Sequence, residues 1–205
     1  MRIVELEEAL KREREKRRSV ERRVTLDALT RLQTRRAFDT DGKARFRRAK
    51  EGHTSVGMFF LDANGFKEVN DTYGHGVGDT LLIAVAGAIK RHKRQVDLAG
   101  RNQRQVDNLA GRKGGDEFVL FFDDLDEAEA KIIANRLYKA VAAIRLAQAP
   151  ELRPSVSIGV AVGIPERKLD WQGITALADE AMYEAKKNKG TDRPTVYIRP
   201  LSAQS

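Results

Sequence analysis

The sequence contains no cysteine. That excludes a disulfide framework, a thiolate metal site and a thiol nucleophile, and it is compatible with the reducing cytoplasm. No apolar run of about 18 residues, the length needed to cross a bilayer, is present. The charged N-terminus also lacks the apolar centre of a signal peptide. The expectation is therefore a soluble, cytoplasmic piece without direct membrane contact, which a sensor domain can precede in a longer parent. Aromatic residues make up only 6%, too few for the interleaved stacking platform that single-stranded nucleic acid requires. A net charge of +8 with a pI near 9.8 raises the question of phosphate polymers. The basic residues, however, are spread along the chain beside acids, so the expectation is no nucleic acid; a small polyphosphate would suit a basic pocket equally well. What is present is 41% hydrophobic residues in 205, enough for one core plus an appendage.

The appendage is residues 1–25. Ile3, Leu6, Leu10, Val20 and Val24 fall on one seam at spacings of three and four, with Glu13 and Arg17 at the seam positions between them. This predicts a coiled-coil helix with a weak middle, suited to parallel dimerisation, whose mixed charges form a solvated surface. After it, Thr34 can cap a helix carrying Phe38, Phe46 and Ala49. Val56 to Leu61 reads as a buried strand ending at Asp62. Asn64, Gly65 and Lys67 then turn into a helical stretch, which GHGVGD, with Gly74, Gly76 and Gly78, is expected to break before an amphipathic helix through Leu81, Leu82, Val85 and Ile89. Further on, Ile133, Leu137, Val141 and Ile144 share a helical face, and Ser155 to Val162 alternates as a strand. Ile174, Leu177, Ala178, Ala181 and Met182 face inward on a last helix, and Thr195 to Ile198 adds an edge strand. Strands and helices alternate without a strict βαβ rhythm, and the two acid-bearing strands need to be neighbours. An α+β sandwich with a mainly antiparallel central sheet flanked by helices meets that requirement.

The stretch RKGGDEFVLFF, Arg112 to Phe122, stands at the centre. Gly114 and Gly115 are followed by Asp116 and Glu117 and then by a buried strand. Glycine permits positive φ and close approach of the main chain to a ligand, and paired carboxylates suit a hard cation such as Mg²⁺. A plain Gly-Gly hairpin with solvated acids fits these four residues equally well. Taken singly, Asp62 reads as a strand-end acid, Asn70 as a C-cap, His75 as a turn residue and Asp79 as an N-cap.

Taken in order they resemble the GGDEF family of diguanylate cyclases. The family's strand-end Asp, FK pair, ND pair, GH and GD correspond to Asp62, Phe66 and Lys67, Asn70 and Asp71, Gly74 and His75, Gly78 and Asp79, and the signature to Gly114–Phe118. DALTRLQTRRAF, Asp27 to Phe38, resembles the opening motif, with Arg31 where glycine is usual and Thr34 where asparagine is usual. SVSIGVAVG and ADEAMYEAKKNKG resemble the late strand and last helix. The likeness covers about residues 26–199, the expected catalytic domain, and leaves 200–205 as a polar tail.

The resemblance implies a palm-like nucleotidyl cyclase fold. It implies condensation of two GTP to cyclic di-GMP in a homodimer of half-sites, dependent on Mg²⁺ (or Mn²⁺). Asp62, the Ala63 carbonyl, Asp116 and Glu117 would hold the metal, with Glu117 also helping to deprotonate the 3′-hydroxyl. Asn70 and Asp79 would read guanine, Gly114 and Gly115 would lie against the nucleotide, and Phe66, Lys67 and Lys186 would contact phosphates. Asn64 stands where a second acid is common, and Lys189 and Gly190 where a Gly-Arg pair is usual, so one cationic triphosphate contact is missing or shifted. RQVDLAGR, Arg94 to Arg101, is nearly repeated as RQVDNLAGR, Arg104 to Arg112. The family's RxxD product-inhibition site is therefore matched best by Arg104 and Asp107, one residue farther from Gly114 than usual. Two other readings stay open: a non-catalytic module sensing GTP or cyclic di-GMP, which the doubled segment favours, and nucleic-acid binding through the basic helix.

Overall fold

Thr34 accepts a hydrogen bond from the amide of Ala37 and so starts α1 (Arg35–Glu51), whose Phe38, Gly42, Phe46 and Ala49 are buried at helical spacing. The structure, a computed structural model, describes residues 25–95, 108–187 and 196–201. The predicted coiled coil apart from Thr25, the pair Arg104 and Asp107, and Lys189 and Gly190 lie outside the described residues. After α1 come β2 (Val56–Ala63), α2 (Phe66–Tyr73), α3 (His75–Gln95), β3 (Leu109–Gly114) and β4 (Glu117–Asp123). They are followed by α4 (Glu127–Ala142), β5 (Val156–Gly163), α5 (Trp171–Lys186) and β6 (Val196–Pro200); a two-residue β1 (Gln33–Thr34) precedes α1.

Among the described residues six strands form one sheet in the order β1-β3-β4-β2-β5-β6. The pairings β3/β4, β4/β2 and β2/β5 are antiparallel, while β1/β3 and β5/β6 at the two edges are parallel. The sheet is mainly antiparallel, as expected. Successive residues of β2 point to opposite faces. Met58 and Phe60 meet Phe38 and Phe46 of α1 and Trp171, Ile174, Ala178 and Met182 of α5. Phe59 and Leu61 meet Leu82, Val85 and Ile89 of α3 and Ile133, Leu137 and Val141 of α4.

Because helices cover both faces, β5 is buried almost throughout and does not alternate between buried and exposed. A strand sandwiched this way reads as continuous apolar sequence. Phe59, Phe60, Phe118, Phe121 and Phe122 are fully buried, each stabilising the fold by about 1.5–3 kcal/mol. Among the described residues no helix is long and apolar enough to cross a membrane.

One boundary differs from expectation. GHGVGD does not interrupt the helices as a block; α3 already begins at His75, and the break is the single residue Gly74, with φ 84°. The Gly74 amide donates to the Asn70 carbonyl at 2.9 Å and closes α2. Asp79 is consequently a residue of the helix and not its N-cap.

Candidate functional site

β3 and β4 form a hairpin whose tip is Gly115 and Asp116, with Gly114 opposite Glu117. On its other side β4 pairs with β2 so that Asp62 stands directly opposite Glu117. Side chains of such a pair share a face of the sheet, here the face of Phe60 and α5. Two like charges in that relation repel, and the last turn of α5 supplies the counter-charge: Lys186 Nζ lies 2.9 Å from Asp62 Oδ2. Asp62 is 8% exposed. The main chain fixes the arrangement further, since the Ala63 amide donates to the Asp116 carbonyl at 3.2 Å and the Asn64 amide to the Ser155 carbonyl at 3.0 Å. Hairpin and acid site, alternatives in the sequence, are the same structure.

Neither glycine of the pair requires a left-handed backbone. Gly65, Gly74 and Gly163 adopt it; Gly114 and Gly115 do not. A Cβ on Gly115 would meet nothing within 4 Å, and one on Gly114 only Glu117 Oε2 at 3.4 Å. Both glycines are exposed, and the space beside the tip is open. A register shift between Arg112 and Gly114 reshapes the strand at Lys113, as bulges beside sites do. The Lys113 ammonium sits 4.1 Å from the centre of the Phe60 ring. Burial pushes its pKa down, while the carboxylates of Asp179 and Glu117 pull it back up.

Sequence reasoning missed a latch at this hairpin. Arg112 donates from Nε and Nη2 to the Gly115 carbonyl at 3.0 and 2.7 Å, and from Nη1 to Asp27 Oδ1 at 3.2 Å. Asp27 also accepts from the amide and hydroxyl of Thr30. Burial alone would raise the Asp27 pKa; the Thr30 hydrogen bonds, then those of Arg112 and its charge, outweigh that and hold the carboxyl below its ordinary value. An arginine two residues before the glycine pair is the one sequence signal that could have pointed here. Its partner lies 85 positions away.

Gly65, with φ 71°, turns the chain from β2 into α2, which leaves the first-turn amides of Phe66 and Lys67 without helical acceptors. The Phe66 ring itself packs against the core, so what this residue offers a ligand is its main chain. Asn70 near the end of α2 reaches the first turn of α3, where a Cβ on Gly78 would lie 2.0 Å from its Oδ1, and Asp79 is the next residue of that helix. Asn64, in place of an acid, donates from Nδ2 to Ser155 Oγ at 3.1 Å and accepts from Ser157 Oγ at 2.8 Å. Its amide ties β2 to β5, and its neutrality spares the Asp62 neighbourhood a further negative charge.

Among the described residues no group of three or more acids or histidines is close enough to cage a metal ion. The expected ligands, Asp62, the Ala63 carbonyl, Asp116 and Glu117, nevertheless fit Mg²⁺. That ion takes one or two carboxylates plus substrate phosphates in preference to an all-protein cage, and Asp62 opposite Glu117 is such a pair. Two surface cavities, about 390 Å³ against α1 and about 810 Å³ between α5 and β6, include none of these acids in their linings.

The family model "Diguanylate cyclase, GGDEF domain" matches residues 24–192. Among curated proteins the chain is 36% identical over 160 residues to the bifunctional diguanylate cyclase/cyclic di-GMP phosphodiesterase MucR of Pseudomonas aeruginosa, covering 78% of this chain and 22% of that protein. It is 33% identical over 182 residues to the diguanylate cyclase DosC of Escherichia coli, covering 87% of this chain and 36% of that protein. The chain thus spans about a fifth to a third of the length of these relatives. Among solved structures, the coiled coil and GGDEF domain of DgcB from Caulobacter crescentus, in complex with c-di-GMP, superposes with a TM-score of 0.73 at 27% identity, with 97% of both chains covered.

Proposed function

This chain belongs to the diguanylate cyclase GGDEF domain family, and from that premise we propose that it condenses two GTP into cyclic di-GMP and two pyrophosphates. In each half-reaction the 3′-oxygen of one GTP bonds to the α-phosphorus of the other, the bond to the β-phosphate bridging oxygen breaks, and pyrophosphate leaves. The observation that carries the reading is Asp62 directly opposite Glu117 at an open glycine-rich tip, with Lys186 on Asp62. Asp62, the Ala63 carbonyl, Asp116 and Glu117 are suited to hold Mg²⁺ or Mn²⁺, which supplies charge neutralisation for the triphosphate. A Glu117 carboxylate oxygen accepts the proton of the attacking 3′-hydroxyl. Asn70 and Asp79 bind the guanine edge through its O6 acceptor and its N1 and N2 donors. The amides of Phe66 and Lys67 at the start of α2 orient phosphate oxygens, and Lys186, already beside Asp62, contacts the terminal ones.

One domain presents one half-site, so two copies must face each other. The coiled-coil helix that the sequence predicts for residues 1–25 serves that encounter by raising the effective concentration of the second domain. A sensor domain preceding it in a longer parent is the natural input, and Arg104 with Asp107 is the candidate site for feedback by cyclic di-GMP.

The test is product formation from GTP and Mg²⁺ by the full chain and by Glu117→Ala. Turnover that falls by about 10²–10⁴-fold in the variant, with the fold kept, is the expected result. Tight GTP binding by the wild type without any product would instead establish a non-catalytic sensing module.

A further inference from the structure

The corner between α2 and α3 is held by its own backbone. Gly74 donates to the Asn70 carbonyl at 2.9 Å, and the amides of Val77 and Gly78 donate back to the Gly74 carbonyl at 3.1 and 3.3 Å. Gly78 is buried in the first turn of α3 with no left-handed φ. Glycine at such a helical position costs about 1 kcal/mol relative to alanine, and backbone conformation does not require it. Room does. A Cβ at Gly78 would lie 2.0 Å from Asn70 Oδ1, 3.1 Å from Asn70 Cγ and 3.3 Å from Phe66 Cε2. Gly76, two residues earlier, shows the contrast, because a Cβ there would meet nothing within 4 Å.

From this we infer that Gly78 is a specificity-determining positioning residue: the space left by its missing side chain is the seat in which the Asn70 carboxamide is held against the first turn of α3, the helix that also carries Asp79. The inference rests on the reading of Asn70 as a guanine contact. With the corner tied by three main-chain hydrogen bonds, a methyl group at position 78 cannot be met by opening the helices and must turn the carboxamide away. The loss falls on recognition of the base. Guanine and adenine differ in the donors and acceptors that this amide and the neighbouring carboxylate address, whereas the phosphates are held elsewhere.

Four full-length chains decide it: wild type, Asn70→Ala, Gly78→Ala and the double variant, each titrated calorimetrically with GTP and with ATP, and each melted to confirm folding. Gly78→Ala should weaken GTP binding about tenfold, the worth of one or two hydrogen bonds, and shrink the preference for GTP over ATP. Added to Asn70→Ala it should cost nothing further, since the group it displaces is gone. The double variant carries the test alone if the single one does not fold, because the clashing atom is absent from it. An unchanged GTP preference in Gly78→Ala, or a further loss in the double variant, overturns the inference alone. GTP binding by Asn70→Ala equal to wild type overturns the guanine reading and this inference with it.

Discussion

Replacing Arg112 by methionine keeps the aliphatic stem and removes the guanidinium that joins Asp27 to the Gly115 carbonyl. Four contacts go: 3.0 and 2.7 Å to the carbonyl and 3.2 and 3.5 Å to the carboxylate. Hydrogen bonds to charged groups contribute about 1.5–3 kcal/mol. Here the side chains are 17% and 25% exposed and Gly115 is at the surface, so water replaces part of what is lost. Taking about 1.5 kcal/mol for the carboxylate pair and about 0.5 for the carbonyl gives about 2 kcal/mol. In a chain of this size that lowers the melting temperature by about 4–8 °C.

The pH dependence supplies a second readout. Asp27 has a folded pKa held below its unfolded one, so it contributes stability above about pH 4 that is lost as pH falls through the folded value. The variant gives up the Arg112 share of that depression and keeps the Thr30 share. The gap between the two proteins should therefore narrow below about pH 4. Asp116 follows the latched carbonyl directly, and a displacement of catalytic groups by about 1 Å can cost about 100-fold. Turnover should fall by about 10–100-fold, with Arg112→Lys between the two because an ammonium cannot serve both partners at once. A variant that melts earlier as expected yet turns over normally would show that the tip owes its placement to something else; unchanged melting would show that the latch is worth nothing.

Other outcomes follow from single residues. Asn108 is fully buried, and neither atom of its carboxamide has a hydrogen-bond partner among the described residues. Asn108→Leu, of similar size, should stabilise the chain by about 1–3 kcal/mol. It should raise the urea midpoint without changing the slope, as followed by the fluorescence of Trp171, the one tryptophan, buried against Phe38, Phe46 and Phe121; a lower midpoint contradicts the reading. Arg31 has φ 56° and an exposed side chain. Arg31→Gly should gain about 0.5–1 kcal/mol, the left-handed penalty less the added entropy of unfolded glycine, and a drop in melting temperature would refute it.

The strands, the cap at Thr34 and the inner faces of α4 and α5 were legible because each depends on local periodicity or on one side-chain oxygen. The acids were legible as a set through the order of short motifs, and the neighbour relation of their strands followed from the chemistry asked of them. Register was not. Nothing in VGMFFLDA or DEFVLFF fixes Asp62 against Glu117 rather than Asp116, because that depends on where the ladder closes. The glycine pair was legible as a turn but its backbone was not, since the sequence allows positive φ at either glycine and the hairpin uses it at neither. The Asp27–Arg112 latch was illegible because its two ends meet only after the sheet has formed.

The hairpin has a polarity with respect to the doubled segment. That segment enters the sheet at Leu109, opposite Phe121, and the acids stand at the other end of the same strands. Five residues of ladder, about 17 Å, separate the two. Sheet pairing makes this span an insulator: the relation of Asp62 to Glu117 is set by β4 against β2, whatever the length of the chain that precedes Leu109. A domain laid out this way can vary the connection from α3 to β3, in length and in sequence, without disturbing the register that sets Asp62 against Glu117.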